Sequence, residues 1–351
     1  MTSSSSPDGM LRIAQIGCGY WGINLLRCFL QNPRVSLVGV AELSQKRIGD
    51  LAKRYPAIPA TSEHRELING PADAVVIATP AANHFELAKE CLLKDKHVFV
   101  EKPIALNVRD AEELVRLAEG RNLRLMVGHT FEYNAAVRML RNYLEKGEVG
   151  EVYYLYGARL NLGRVQSDIN AMWSLAPHDL SILLYILQKM PVAVAARGFS
   201  FLQPGIEDIV FMILDFPGDV HAHIHVSWLD PNKARLLTVV GSEKMIVYDD
   251  TSLDAKIRIF DKGITRNAVD QSLGEYDSFE KFQLILRAGD VAVPHFIFPE
   301  PLQVECDHFV ECIEKRQTPL TDGRDGLHVV NILEAAQQSL KSGGEKVNIP
   351  W

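Results

Sequence analysis

Lys102 stands between Glu101 and Pro103, directly after the apolar run Val98–Phe99–Val100. Ligands in open α/β folds bind at the edge where the strands end, and this lysine follows such an end. Proline biases the residue before it away from helix, so Lys102 is expected in extended geometry. An ammonium group at that place suits a point where a bound cofactor meets a substrate. A second stretch with chemical meaning lies upstream. Gly17–Cys18–Gly19–Tyr20–Trp21–Gly22 follows the apolar run Leu11–Ile16 and precedes helical apolar spacing over Ile23–Leu30. In such a GxGxxG turn the first glycine allows the tight bend. The second lets backbone approach a pyrophosphate, and the third permits close helix–strand packing. The phosphates would sit on free N–H groups at the helix start, with Tyr20 and Trp21 beside them. Val35–Ala41 is the next strand, and Glu42 ends it. A carboxylate at this distance from the glycines can accept from both ribose hydroxyls, and it repels a 2′-phosphate. NAD is therefore expected rather than NADP, with Lys46 and Arg47 just downstream moderating the preference.

The elements that would position these groups alternate in type. Ala72–Ala78 reads as a strand ending at Thr79–Pro80, with a helix from Ala82 to Leu93. Val98–Val100 leads into Glu101–Lys102–Pro103, and a helix over Val108–Glu119 follows. Arg124–Val127 is a further strand, ending at Gly128–His129. This rhythm predicts a Rossmann doubly wound parallel sheet over residues 10–128, with Thr79, Lys102 and His129 on one edge. After His129 the texture changes to helices over Phe131–Leu144 and Trp173–Gln188. A strand over Val152–Leu160 and strands over Val192–Phe201, Ile209–Phe216, Val220–Trp228, Arg235–Val240 and Met245–Tyr248 accompany them. Strands without intervening helices predict an α+β domain over 129–351 with a large, mostly antiparallel open sheet. Pro299–Arg316 and Asp325–Lys341 read as closing helices.

The totals narrow the class. At 351 residues the chain is too long for one ordinary core, and 47% hydrophobic with 23% charged residues is a globular balance. A net charge of −7 without a basic run argues against nucleic acid or a membrane surface as partner. No apolar run approaches the roughly 20 residues of a membrane span. Residues 1–9 form a Ser-rich polar stretch without signal-peptide character, expected to be a disordered tail. Cys18, Cys28, Cys91, Cys306 and Cys312 are scattered and odd in number, which suggests reduced thiols in a cytoplasm and no metal site. His221, His223 and His225 alternate along one strand and share a face; no Cys or carboxylate pattern supports a metal there, and a polar face or subunit interface is expected.

Taken together, Gly17–Gly22, Ala78–Thr79–Pro80 with Asn83–His84, Glu101–Lys102–Pro103, Val127–Gly128–His129, Pro177–His178–Asp179 and Pro319–Gly323 resemble the Gfo/Idh/MocA oxidoreductase family across nearly the whole chain. The resemblance implies nicotinamide-dependent oxidation of a sugar or cyclitol alcohol, or its reverse. Lys102 matches the family's lysine on the reacting oxygen, and His178 its acid/base histidine. Imidazole titrates near working pH, so His178 is the natural proton acceptor, although either of the two can be the formal base. Thr79, Pro80, His84, Glu101 and Lys102 fall beside the cofactor. Ser174 stands where the family pattern often carries an aspartate, four residues before the histidine, and this opposes a simple inositol dehydrogenase. The segment Ala171–Asp179 is similar to the nucleotide-sugar branch, the UDP-N-acetylglucosamine 3-dehydrogenases of amino-sugar lipid A synthesis.

Oxidation of the 3-hydroxyl of a UDP-N-acetylhexosamine to a 3-keto nucleotide sugar is the leading expectation. An inositol or free-sugar dehydrogenase and a non-catalytic NAD-binding regulator are the alternatives. Arginines suit a diphosphate and aromatics a uracil or sugar face, so Tyr133, Arg159, Asn161, Arg164 and Trp173 are expected at the substrate, with Lys102 and His178. A homodimer or homotetramer through the C-terminal sheet is expected, as is a coupled aminotransferase that consumes the keto product.

Overall fold

The computed structural model describes residues 9–163, 165–264, 286, 287 and 289–351. Residues 1–8 of the expected tail, and Arg164, lie outside the described residues. Contacts divide the chain into two compact units, Met1–Tyr133 with Pro299–Glu334, and Asn134–Phe298 with Ala335–Trp351.

The first unit carries six parallel strands: β1 (Leu11–Ile16), β2 (Val35–Ala41), β3 (Ala60–Thr61), β4 (Ala74–Ile77), β5 (His97–Val100) and β6 (Leu125–Val127). Their order is β3-β2-β1-β4-β5-β6, so the winding reverses between β1 and β4. This is the Rossmann order, and the reversal opens a crevice at the carboxyl ends. Ala74–Ile77 is buried throughout, as expected of a strand covered on both faces. The connecting helices are α1 (Gly22–Gln31), α2 (Gln45–Arg54), α3 (His64–Ile68), α4 (His84–Leu93) and α5 (Val108–Gly120). Side chains start two of them. Ser44 Oγ accepts from Arg47 N before α2, and Asn107 Oδ1 accepts from Asp110 N at 2.9 Å before α5.

The second unit begins with α6 (Ala135–Glu145), β7 (Val152–Leu162) and α7 (Ala171–Leu187). It continues through β8 (Ala193–Phe199), β9 (Ile209–Phe216), β10 (Val220–Ser227), β11 (Leu229–Gly241), β12 (Met245–Asp249) and β13 (Ile257–Phe260). A short pair, β14 (Gly263–Ile264) with β15 (Leu286–Arg287), stands apart, and β16 (Val291–Ala292) rejoins the main sheet. The chain then forms α8 (Pro301–Glu314), α9 (Gly323–Lys341) and β17 (Val347–Asn348). The nine-stranded sheet runs β16-β13-β12-β11-β7-β10-β9-β8-β17. Only β7 and β10 pair in parallel; the other pairs are antiparallel. The expected mostly antiparallel sheet is thus present.

Helix α8 belongs to the first unit. Proline opens it, where its missing N–H is not needed. Leu302, Cys306, Phe309 and Val310 then fall on one face and enter a core with Ile13, Leu25, Phe29 and Val76. Phe29, Phe99 and Phe309 meet edge to face, with centroids 5.7 to 6.3 Å apart. Helix α9 is continuous through both assignments, Gly323–Glu334 counting with the first unit and Ala335 onward with the second.

Candidate active site

The carboxyl ends of β1, β2, β4, β5 and β6 set the glycine turn, Glu42, Thr79, Lys102 and His129 on one edge of the parallel sheet. Gly17 has φ +90°, and a Cβ there would lie 2.5 Å from the Ala78 carbonyl oxygen. A Cβ on Gly22 would lie 2.5 Å from the Gly17 oxygen, so both positions exclude a side chain. At Gly19 the same construction meets only Arg47 Nη1 at 3.9 Å, which leaves the backbone open to a ligand. No side chain caps α1, and its first turn holds no acid. Glu42 is buried to 7% exposure at the rim of this turn. Its Oε2 accepts from Cys18 N at 2.9 Å, and its Oε1 accepts from Ser44 N at 3.0 Å and Arg47 Nη1 at 3.3 Å. An open glycine backbone, an uncapped helix start and a fixed carboxylate are what pyrophosphate and ribose require, so these residues fit NAD.

Tyr20 is 80% exposed on the turn and Trp21 41%, but the Trp21 indole Nε1 donates to Glu101 Oε1 at 2.6 Å. The other oxygen of Glu101 accepts from Lys102 N at 3.3 Å. Gly128 makes room for this carboxylate, since a Cβ there would stand 3.0 and 3.1 Å from its two oxygens. Burial pushes the Glu101 carboxyl up, and the Lys102 charge opposes that shift. Lys102 itself is half-buried, followed by a cis bond to Pro103. Thr79 is half-buried and Pro80 exposed, with the Thr79 hydroxyl donating to Pro80 O at 3.4 Å.

Two expected contacts are internal struts instead. His84 is 1% exposed, with Nδ1 2.7 Å from Pro103 O and Nε2 2.9 Å from Thr79 O. It ties together the segments that follow β4 and β5 and presents no ring atom to a cofactor; burial pulls its pKa down. Tyr133 is 1% exposed within the α8 core, its hydroxyl 3.1 Å from Thr321 Oγ1, so it is removed from the substrate set. His129 Nδ1 lies 2.6 Å from Asp325 Oδ2 and 3.8 Å from Glu132 Oε1. These three are close enough to hold a metal ion, but the 2.6 Å contact is that of a hydrogen bond. Beside them Thr130 Oγ1 donates to Glu305 Oε2 at 2.7 Å. Glu305 is fully buried and Oε1 has no partner among the described residues, so burial, then the charge of Glu101, holds its proton on.

In the second unit His178 is half-buried in the middle of α7, not at a helix start, because the helix begins at Ala171. Asn170 Oδ1 caps it by accepting from Trp173 N at 3.1 Å. Ser174, one turn before His178, accepts from Gln166 Nε2 at 2.9 Å. Trp173 is 7% exposed and its indole donates to Gln337 Oε1 at 3.1 Å, leaving little of the ring for a sugar. Arg159 is no free diphosphate ligand. Its Nε and Nη2 donate to Asp179 Oδ2 and Oδ1 at 2.7 and 3.0 Å, with side-chain exposures of 6% and 3%. Asn161 lies on β7, its Oδ1 buried and without a hydrogen bond among the described residues. The expected Arg164 contact falls outside the described residues.

Residues 11–129 match the family model described as an oxidoreductase family with an NAD-binding Rossmann fold, and 137–247 match the GFO/IDH/MocA C-terminal domain. The chain belongs to the Gfo/Idh/MocA oxidoreductase family. Among its Gfo/Idh/MocA relatives, the uncharacterised oxidoreductase YrbE of Bacillus subtilis is 24% identical over 339 residues, 93% of this chain and 94% of that one. A UDP-N-acetylglucosamine 3-dehydrogenase of Acidithiobacillus ferrooxidans is 31% identical over 167 residues, 47% of this chain and 51% of that protein. The structure of the WlbA dehydrogenase from Bordetella pertussis, in complex with NADH and UDP-GlcNAcA, superposes with a TM-score of 0.77 at 21% identity. That match covers 97% of this chain and 99% of WlbA.

Three groups at the site escape a sequence reading. The Trp21–Glu101 bond joins residues far apart in the chain, and only the aromatic inside the glycine turn hints at it. Gly128 reads as a strand end. Asp179 is visible beside His178, but nothing in the order of residues pairs it with Arg159.

Proposed function

We propose that this Gfo/Idh/MocA oxidoreductase uses NAD to oxidise the 3-hydroxyl of a UDP-N-acetylhexosamine, such as UDP-N-acetylglucosamine, to the 3-keto nucleotide sugar. The observation that carries the dehydrogenase half is Lys102, fixed through Glu101 to the Trp21 of the glycine turn. The substrate half is supported by the 31% identical 3-dehydrogenase and by the Ala171–Asp179 segment. NAD held at the glycine turn and Glu42 would supply the acceptor for the hydride on the carbinol carbon. Lys102 donates a hydrogen bond to the hydroxyl oxygen and steadies the charge that grows on it. His178 takes the hydroxyl proton as imidazole. Glu101 holds the main chain at Lys102 in place while this happens.

The keto group so formed is electrophilic and suits a following transamination, so an aminotransferase is the partner that would draw the reaction forward. A second copy of this chain is proposed on the outer face of the nine-stranded sheet. There Tyr154, Tyr156, Phe211 and Ile213 are 38 to 52% exposed, and Tyr154 stacks on Tyr156 at 6.2 Å. Exposed aromatic and aliphatic side chains on one sheet face mark a surface that a second copy can cover about a twofold axis. Strand β10 runs between β7 and β9, so His221 lies between Tyr154 and Asp215 and His223 between Tyr156 and Ile213, while His225 stacks on Phe211 at 4.3 Å. The five cysteines are free and buried, which supports a cytoplasmic setting, and no described helix is long and apolar enough to cross a membrane.

The test is NADH formation by the full chain with UDP-N-acetylglucosamine, myo-inositol and free glucose, run with and without an aminotransferase and amino donor. Turnover only with the nucleotide sugar is expected. Turnover with inositol or glucose alone would replace the substrate, and none with any of them would turn the reading to a regulator.

A further inference from the structure

The Arg159–Asp179 pair does work that stability alone does not explain. Both side chains are shut away from water, and the guanidinium meets the carboxylate through two parallel hydrogen bonds of 2.7 and 3.0 Å. A buried pair of this kind contributes little over a well-packed apolar pair of equal volume, because desolvating two charges offsets their attraction. What it does supply is direction, since a bidentate fork fixes both partners in angle as well as distance.

The place where direction is needed is one residue away. Asp179 follows His178 on α7, and successive helical residues point about 100° apart, so pinning one sets the azimuth of the next. The helix cannot do this by its main chain alone. Pro177 has no N–H, so the rung that would reach the Trp173 carbonyl is missing in the turn that carries His178. On the following turn Ser181 Oγ donates to His178 O at 3.1 Å and steadies its carbonyl. Arg159 sits on β7, whose ladder with β10 and β11 makes it a rigid anchor.

We infer that Arg159 and Asp179 form a positioning clamp that aims His178, holding a proline-weakened turn of α7 to strand β7. This rests on the proposed role of His178 as proton acceptor. Because the two charges cancel within the fork, the clamp fixes the imidazole without laying a bare carboxylate beside it.

The test removes the clamp without leaving an orphan charge. The double substitution Arg159→Met with Asp179→Leu, made in the full chain, should keep the melting temperature within a few degrees. It should lower kcat for the nucleotide sugar at least about tenfold, with KM for NAD changed less than about twofold. Placed on top of His178→Ala, the same pair of substitutions should cause no further loss, because a clamp acting through His178 has nothing left to aim. A folded double variant with kcat within about twofold of the parent overturns the inference, as does a full additional loss in the His178→Ala background. If His178→Ala itself leaves kcat intact, the proposed function has failed rather than the clamp. Should the double variant not fold, Arg159→Lys, which keeps the charge and loses the fork, is judged by the same two outcomes.

Discussion

Lys102 is the residue on which the proposed chemistry turns. Lys102→Met keeps much of the side-chain volume and removes the donor, so kcat should fall by about a hundredfold or more with NAD affinity little changed. Single-turnover NADH formation reads this directly, and near-normal turnover would end its assignment. Gly128 tests the support behind it. The added methyl in Gly128→Ala would stand about as close as a hydrogen bond to the Glu101 carboxylate, which must give by a few tenths of an ångström and so loosen its bond to the Trp21 indole. The expected result is a severalfold fall in kcat with the fold retained, measured against the parent by kinetics and circular dichroism. A parent-like kcat would mean that Glu101 is not needed where it stands. The residues that changed place between sequence and structure are mostly polar groups that satisfy one another: His84 on two carbonyls, Tyr133 on Thr321, Arg159 on Asp179. Residue type announces such groups as donors or acceptors. Only the fold reveals that the partner is internal.

At the scale of elements the chain was far more legible. Leu11–Ile16, Val35–Ala41 and Ile209–Phe216 have the bounds that their apolar runs predict, because buried strands admit few polar residues and end at turn formers. The short pieces were not legible. Helix α3 and strand β3 have too few residues for a period to develop, and α2 carries a single buried residue, Leu51. Helix α8 was visible as a helix, but an apolar stripe does not say which sheet it covers. Cap chemistry is testable here. Asn107→Ala removes the acceptor for Asp110 N and should cost about 1 kcal/mol, lowering the melting temperature by about 2–4 °C. Differential scanning calorimetry decides it, and an unchanged transition would show that the cap is idle.

For the molecule as a whole, acid should weaken the fold through His97 at the start of β5. Its Nδ1 accepts from Arg124 N at 2.8 Å, and burial, then the Arg124 charge, pulls its pKa down to about 4. The unfolded chain binds that proton near pH 6.5, so the stabilisation is complete above that value and lost as pH falls toward about 4. The loss should reach on the order of 3 kcal/mol, and His97→Gln should flatten it in urea titrations at several pH values. An equally steep acid limb in the variant would place the effect elsewhere. Self-association is checked at this scale too. Ile213→Glu should shift the full chain to a smaller species in sedimentation, and an unchanged mass would clear the outer sheet face of that role. The return of α8 to the first unit has a consequence for biosynthesis. Phe29 and Phe99 find Phe309 only after some three hundred residues have been joined. The amino-terminal unit therefore emerges from the ribosome first but completes its core almost last. In the interval its apolar face is what a chaperone would meet.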